Sequence, residues 1–373
     1  MKIIVVGASM AGLSTAIALS RQGHEVRIYE RSTRDWDRGG GGLVAQDQMV
    51  EFLRKYEIAD PEEISVPGGN RIFLTEQNVF ADREPSTTSY TAWDTIYRRL
   101  RRHIPDDRLF LGKDLARIEI LEDSVRAYFS NGTWAGADLL IGADGILSPT
   151  RRSVLPTATP EYAGYVAWRG VVNVEGREAS MDPTLFSNFV VFPGDGTQML
   201  SYPIPEAQGC TREERRRINF VWYQQIHEEE ELPHVLTDRN GESHSVAVPK
   251  GLIHPDIRDR IRVTAKYMLP EMFANLVWET DEPFVQAIFD LELSRLVYDR
   301  VLLVGDAAAL IRPHVGSGTS KAMTDADRLA EAIGPEERLD YEALHDWELD
   351  SIRRGRELAD RGKAISRTSS LAC

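Results

Sequence analysis

Residues 2–30 read KIIVVGASMAGLSTAIALSRQGHEVRIYE, and their punctuation decides the fold. Lys2 to Val6 is a short β-branched run, Gly7 to Gly12 is a turn, and Leu13 to Gln22 carries apolar residues at helical spacing. Gly23 ends the helix, and His24 to Tyr29 supplies a second strand that finishes on Glu30. The pattern predicts a βαβ unit of an α/β fold. A glycine at such a turn lets the backbone approach a pyrophosphate. The helix start offers free N–H groups and the positive end of its dipole, and an acid closing the second strand can accept ribose hydroxyls. Dinucleotide binding follows. Ser9 stands where the usual GxGxxG has its middle glycine, so the motif is a variant and needs support from elsewhere in the chain.

That support comes from four further stretches. Gly39 to Gly42, followed by Leu43 and Val44, returns the chain toward the same turn, although four glycines read equally well as a flexible loop. Tyr97, Arg98 and Arg99 lie on an expected helix from Asp94 to Arg102, where a basic side chain can reach phosphate. Ala137 to Gly145 is an apolar strand running into Asp144-Gly145, with Ser148 and Arg151 beyond; alone it reads as an ordinary turn. Val301 to Val304 runs into Gly305-Asp306, then Arg312-Pro313-His314-Val315-Gly316-Ser317-Gly318, then a helix expected from Thr319 to Ile333. A buried strand thus delivers a carboxylate close to a helix start, where it can accept polyol hydroxyls while glycines and free N–H groups face a flat ring.

Bulk properties narrow the alternatives. The 373 residues suffice for two domains, and 42% hydrophobic composition is ample for their cores. Lys and Arg total 44 against 58 Asp and Glu, and no basic stripe accumulates, which argues against nucleic acid as a partner. Cys210 and Cys373 form no CxxC pair or Cys/His cluster, so neither a disulfide framework nor a structural zinc is expected, and the compartment reads as reducing. Ile3 to Val6 is too short for a signal or membrane segment; a cytoplasmic protein without membrane attachment is expected.

With these stretches in order, the chain resembles the class A flavoprotein aromatic hydroxylases, the family of para-hydroxybenzoate and salicylate hydroxylases. Gly7 to Gly12 with Glu30 matches its FAD dinucleotide motif, Gly142 to Gly145 with Ser148 and Arg151 its DG motif, and Gly305-Asp306 through Asp325 its GD motif. The resemblance implies a Rossmann-like FAD-binding domain over residues 1–70, 92–160 and 280–373. A mostly antiparallel substrate domain would take 71–91 and 161–279. It further implies FAD contacts from Gly7, Ser9, Met10, Ala11, Gly12, Glu30, Arg31, Gly42, Leu43, Arg98 and Leu115. Asp144, Asp306, Pro313, Gly316, Gly318, Thr319 and Ser320 complete the implied set. Glu30 would hold the adenosine ribose and Asp306 the ribityl chain, with Pro313 and Gly316 to Gly318 bordering the isoalloxazine. Three departures mark a subgroup: Ala309 replaces the histidine of GDAAH, Ser317 the glutamine of GQG, and Ser320 the asparagine that follows. The segments around Ala92–Leu100, Gly164–Gly170, Phe220–Tyr223 and Arg312–His314 look like the 2,6-dihydroxypyridine 3-hydroxylase branch, which points to hydroxylated N-heteroaromatics.

The middle region carries strand-like runs at Tyr162–Val172, Asn188–Phe192, Gln198–Pro203 and Ile218–Gln225, the expected substrate sheet. Trp222, Tyr223, Gln286 and Arg169 are its candidate pocket residues; because strand neighbours face opposite ways, only one of Trp222 and Tyr223 can line a pocket, and Tyr223 is favoured and counted with His314 as a candidate catalytic residue. His227, beside the acidic Glu228 to Glu231, reads as a solvated loop residue. His314, next to Pro313, is the candidate proton relay. By the resemblance, NADPH or NADH reduces the flavin, dioxygen adds to it, and the hydroperoxide transfers oxygen to an activated ring. Two rivals stand beside this reading: a dehydrogenase or reductase on the same scaffold, and a flavin-binding protein without turnover. Tyr341 to Ser366 is expected as an amphipathic helix packed on the FAD domain, with Arg367 to Cys373 frayed, and a homodimer is possible.

Overall fold

The computed structural model describes residues 1–34, 40–77, 80–207, 209–212, 215–336 and 338–371. Gly39 and Cys373, which belong to two of the readings above, lie outside them. The N-terminal unit folds as strand Lys2–Val6, helix Met10–Arg21 and strand Glu25–Tyr29. These strands pair in parallel and sit inside a six-stranded sheet. Its order runs Val297–Tyr298, Val301–Leu303, Leu139–Gly142, Lys2–Val6, Glu25–Tyr29, Leu109–Phe110, all parallel but for the first pair. The strands reading as continuous apolar runs are the central ones, buried on both faces, as parallel sheets require. Helix Gly318–Ile333 packs on helix Met10–Arg21, and helix Tyr341–Arg367 packs on Gly318–Ile333. A three-stranded meander, Leu115–Ile120, Val125–Phe129 and Trp134–Ala137, closes the other side.

The second sheet has nine strands. Its central members are Phe284–Glu292, Glu161–Asn173, Arg217–Gln225, Thr197–Ile204 and Phe189–Gly194, followed by Asn70–Leu74 and Phe80–Pro85. Pairing is antiparallel except where Phe189–Val191 runs parallel to Arg71–Phe73. Two expected boundaries move. Phe284–Glu292, assigned to the FAD domain by the break at residue 280, pairs with Glu161–Asn173 in this sheet, because its alternating apolar residues continue the sheet's buried face. Ser89–Ala92, assigned to the substrate domain up to residue 91, pairs instead with Gly42–Val44 and Val66–Pro67 in a small separate sheet.

Alternation gives the large sheet two different faces. Val166, Trp168, Phe220, Trp222 and Val285 share a core with helices Pro255–Met268 and Glu271–Trp278. Tyr165, Ala167, Val221, Tyr223 and Ile288 lie on the opposite, inner face. Leu371 joins that inner cluster fully buried, so the frayed tail expected from the sequence is corrected as far as residue 371. The Leu371 N–H donates to the Ser366 carbonyl at 3.1 Å and Gln225 Nε2 donates to the Ser370 carbonyl at 2.6 Å, which ties the tail down. No helix among the described residues is long and apolar enough to cross a membrane.

Candidate flavin and substrate site

The three glycine-bearing stretches meet at one point. Gly7 has φ +101°, and a Cβ there would lie 2.4 Å from the Ala143 carbonyl oxygen, so the first turn is pressed against the Gly142–Gly145 turn. A Cβ on Gly12 would lie 1.9 Å from the Gly7 carbonyl oxygen, and one on Gly305 2.5 Å from the Ala11 methyl. Glycine is therefore a requirement of close approach at these positions. Ladder bonds Ala143 N–H to Val6 O (2.8 Å) and Val304 N–H to Gly142 O (2.9 Å) hold the strands in this register.

Beside the convergence lies a cavity of about 190 Å³ lined by Gly7, Ser9, Glu30, Arg31, Leu115 and Asp144 among others. Ser9 caps the first helix without any side-chain hydrogen bond to it, which leaves that helix start open toward the cavity. Met10 and Ala11 are buried in the helix itself, so only their backbone is available to a ligand. Glu30 is buried and accepts N–H bonds from Ala8 and Ser32, both at 2.8 Å, which aim its carboxylate at the turn. These residues fit the adenosine half of a dinucleotide: an open helix start behind a tight glycine turn, with a fixed acid beside it.

Asp144 plays a different part. It accepts from the Ser148 hydroxyl, from the Thr150 N–H at 2.9 Å and from the Thr150 hydroxyl at 2.7 Å, while Ser148 caps helix Pro149–Val154. Burial raises its carboxyl above the usual range, opposed by those bonds. Arg151, 1% exposed, donates to the carbonyls of Ile146, Ala158 and Ala307, lacing this turn to the third one. Asp306 has an accessible side chain, yet surrounding protein raises its carboxyl and Lys321 draws it back. It is a carboxylate open on one side and enclosed on the others.

The Pro313–Val315 turn and Gly316 (φ +62°) carry the loop into helix Gly318–Ile333. Gln46 Nε2 donates to the Val315 carbonyl at 3.1 Å and to the Ser317 hydroxyl at 2.9 Å, tying this loop to the chain just after Gly42–Val44. Ser320 also approaches this segment, donating to Gln48 at 3.4 Å, and Thr319 is half-buried beside it. A larger cavity of about 710 Å³ opens there, lined by Val44, Gln46, Ser317, Ser320, Lys321 and Arg354 among others. The stretch Gly40–Gly42 is no slack linker: Gly42 donates its N–H to Asn219 Oδ1 at 2.6 Å, and a Cβ there would lie 2.4 Å from the Tyr202 ring. Leu43 extends the same strand against Thr91. Arg98 commits its guanidinium to Asp94 and the Ala207 carbonyl, and Arg217 braces Asp94 from the other side at 3.1 Å.

The inner face of the large sheet meets this loop through His314. Its Nδ1 lies 2.8 Å from Gln198 Oε1 and its Nε2 2.9 Å from the Tyr165 hydroxyl, while the Tyr223 ring packs 4.1 Å away, centroid to centroid. With Gln198 Oε1 as acceptor, Nδ1 carries the proton and Nε2 accepts from Tyr165. Burial, then the nearby Arg312 charge, lowers the His314 pKa to about 3, so the imidazole stays neutral. Arg312 is held by Asp290 and donates to Ser366 Oγ at 2.6 Å. Register places Gln286 opposite Ala167, and Arg169 opposite Val221, both on the same inner face. His227 is exposed. Gln198, Tyr165 and Asn219 escaped sequence reasoning, because their roles exist only once strand register is known.

Trp222 is corrected. Its ring is fully buried on the helix-covered face and its Nε1–H donates to Thr197 Oγ1 at 2.7 Å, so strand parity that directs Tyr223 inward directs Trp222 away. Trp222→Phe is accordingly expected to lower stability by about 1–3 kcal/mol through the lost Nε1–H bond to Thr197 Oγ1, which keeps its own donation to the Tyr223 carbonyl, and through lost volume. Substrate affinity should not change; thermal denaturation beside ligand titration checks both halves.

Comparison with known proteins agrees with this geometry. Residues 5–35 match a model described as NAD(P)-binding Rossmann-like domain, and residues 162–290 one described as FAD binding domain-like. The chain is 32% identical over 370 residues to 2,6-dihydroxypyridine 3-monooxygenase of Paenarthrobacter nicotinovorans, covering 98% of this chain and 90% of that protein. It belongs to the class A FAD-dependent aromatic monooxygenases. The structure of 2,6-dihydroxypyridine-3-hydroxylase from Arthrobacter nicotinovorans superposes with a TM-score of 0.90 at 30% identity, over 98% of this chain and 92% of that one. A variant of Klebsiella pneumoniae HpxO in complex with FAD gives 0.79 at 25% identity, covering 99% and 91%. This class A monooxygenase is therefore an FAD enzyme.

Proposed function

We propose that this monooxygenase takes electrons from NADH or NADPH and uses dioxygen to hydroxylate a small, already hydroxylated N-heteroaromatic ring of the hydroxypyridine type. Its relatives support that substrate class: one is named for 2,6-dihydroxypyridine, and a 28% identical protein of Pseudomonas fluorescens, covered to 82%, for 6-hydroxynicotinate. The observation that carries the reading is the meeting of Tyr165, Tyr223 and Gln198 with His314 on the loop entering helix Gly318–Ile333. Planar phenols and amides packed on one sheet face suit a planar ring with polar edges.

Bound FAD supplies the redox chemistry, activating dioxygen for transfer to the ring. The chain's own residues do the rest. Glu30 and the Gly7–Gly12 turn would hold the dinucleotide and Asp306 would accept ribityl hydroxyls, while Asp144 with Arg151 keeps the two turns in register. Pro313 and Gly316 to Thr319, on the loop entering helix Gly318–Ile333, would line the flavin. Tyr223 and Gln286 orient the substrate, and the Leu371-sealed cluster keeps water from that face. His314 serves as a neutral hydrogen-bonding group at Nε2 and passes protons only transiently.

The test is oxidation of NADH and of NADPH by the purified yellow protein, with and without hydroxypyridines and phenols, with product analysis. Stimulated oxidation giving a hydroxylated hydroxypyridine supports the reading. Stimulation giving only hydrogen peroxide from every hydroxypyridine would overturn the substrate class.

A further inference from the structure

Two buried polar atoms on the inner face of the large sheet have no partner: Arg169 Nε and Asn219 Nδ2. They belong to adjacent, register-matched strands, and Asn219 is fully buried. A Cβ built on Gly41 would lie 2.6 Å from Asn219 Oδ1 and 3.8 Å from Arg169 Nε, so both groups face the Gly40–Gly42 stretch between the flavin turns and the sheet. Asn219 is not free to turn its amide over, because Oδ1 already accepts the Gly42 N–H at 2.6 Å; its NH2 end is thereby aimed away from that bond. Among the described residues no carboxylate pairs with Arg169, whose guanidinium instead lies 5.9 Å from the centre of the Phe284 ring. Its charge is felt by the buried Tyr202 and Tyr223 hydroxyls.

The other titratable groups on this face cannot neutralise that cation. Burial raises the phenols of Tyr165, Tyr202 and Tyr223, so each stays protonated, and His314 stays neutral. Arg312 and Asp290 pair with each other at the margin. The face therefore holds one uncompensated cation and one unused amide donor in a setting of neutral phenols. A half-buried guanidinium without a counter-ion, flanked by an orphaned donor, is an arrangement completed by a ligand anion.

We infer that Arg169 and Asn219 form an anion pocket that binds the ring substrate through an ionised oxygen, so that the substrate enters as its anion and no protein base has to deprotonate it. The inference rests on the hydroxylase reading for the word substrate, and on geometry alone for the pocket. It assigns Asn219 a positioning role that the motifs do not suggest, and gives Arg169 a reason to lack a carboxylate partner.

The test uses the FAD-loaded protein and the perturbation of its visible flavin spectrum. Benzoate is titrated against its neutral isostere benzamide, and 4-nitrophenol is titrated across its own ionisation. Benzoate should bind at least about tenfold more tightly than benzamide, the effect of a hydrogen-bonded charge. The 4-nitrophenol affinity should rise with its ionised fraction. A preference for benzoate without one for nitrophenolate would place a carboxylate substituent, rather than a ring oxygen, in the pocket and overturn the inference as stated. Arg169→Met should abolish the preference and Arg169→Lys should restore part of it. Asn219→Asp keeps an acceptor for Gly42 but sets a carboxylate beside Arg169, and should abolish the preference with flavin content and melting temperature retained. Equal binding of charged and neutral probes, no binding of either, or a preference unchanged in Arg169→Met or Asn219→Asp would overturn the pocket. A protein that discriminates the anions yet hydroxylates no hydroxypyridine would keep the pocket and reject the proposed substrate class alone.

Discussion

Substituting Gly12 with valine is expected to yield a colourless protein that melts well below the wild type. The added Cβ would sit 1.9 Å from the Gly7 carbonyl oxygen and 2.9 Å from its carbonyl carbon, both backbone atoms that cannot swing aside as a side chain can. Gly7 in turn is pressed on Ala143, so relief at Gly12 displaces the Gly142–Gly145 turn as well. Overpacking typically costs about 1–3 kcal/mol, and a backbone contact this close belongs at or beyond the upper end. The functional loss is larger than the stability loss, because the N–H cradle and the Glu30 carboxylate bonded to Ala8 are set by the same turn. The ratio of flavin to protein absorbance, with calorimetry on the same sample, measures both. A stoichiometrically yellow Gly12→Val protein would refute the placement of the dinucleotide at this turn.

The second large effect is expected at Asp325, whose side chain is fully buried between the last two long helices. Lys321, with a side chain 4% exposed, pairs with it, Arg354 Nη2 lies 3.1 Å away and Ser351 Oγ donates at 3.0 Å. Asp325→Ala leaves the buried Lys321 ammonium without its paired carboxylate, a loss of about 3–5 kcal/mol. The double variant Asp325→Leu with Lys321→Met removes both charges at similar volume, and is expected to regain a large part of that loss. The double-mutant comparison by denaturant unfolding separates an ionic contribution from simple packing. Additive effects of the two substitutions would show that the pair is not coupled.

How much of this could be read from the sequence depends on the range over which each feature is encoded. Glu30 and Gly12 were legible because strand, turn and helix are local, and a dinucleotide makes the same demands at every such turn. The later motifs are also local, and their convergence at Ala143 and Ala11 needed only the assumption of one parallel sheet. The substrate face was not legible to the same degree. Whether Trp222 or Tyr223 points inward is a matter of parity, which the run Phe220 to Tyr223 satisfies either way until pairing with Thr197–Ile204 fixes it. Asn219 reads as an unremarkable polar strand residue until Gly42, 177 positions earlier, is placed beside it. Leu371 follows a charged helix and carries no local signal of burial; what buries it is the ring of Tyr165 and its neighbours, distant in sequence. The glycine cluster shows the same limit, since composition cannot distinguish a slack loop from a backbone squeezed, at Gly40–Gly42, between Tyr202, Asn219 and Trp93.

The order of the six-stranded sheet also sets a schedule on the ribosome. Leu139–Gly142 pairs on one side with the first strand of the chain, but its other edge receives Val301–Leu303. That partner is translated about 160 residues later, which at roughly 5–20 residues per second is a delay of about 8–30 s. Throughout that interval the nascent chain presents an apolar strand edge with no neighbour, and six of the nine strands of the second sheet emerge meanwhile. Yield in a foreign host should therefore respond more to chaperone supply and slower growth temperature than to any change at the protein's surface.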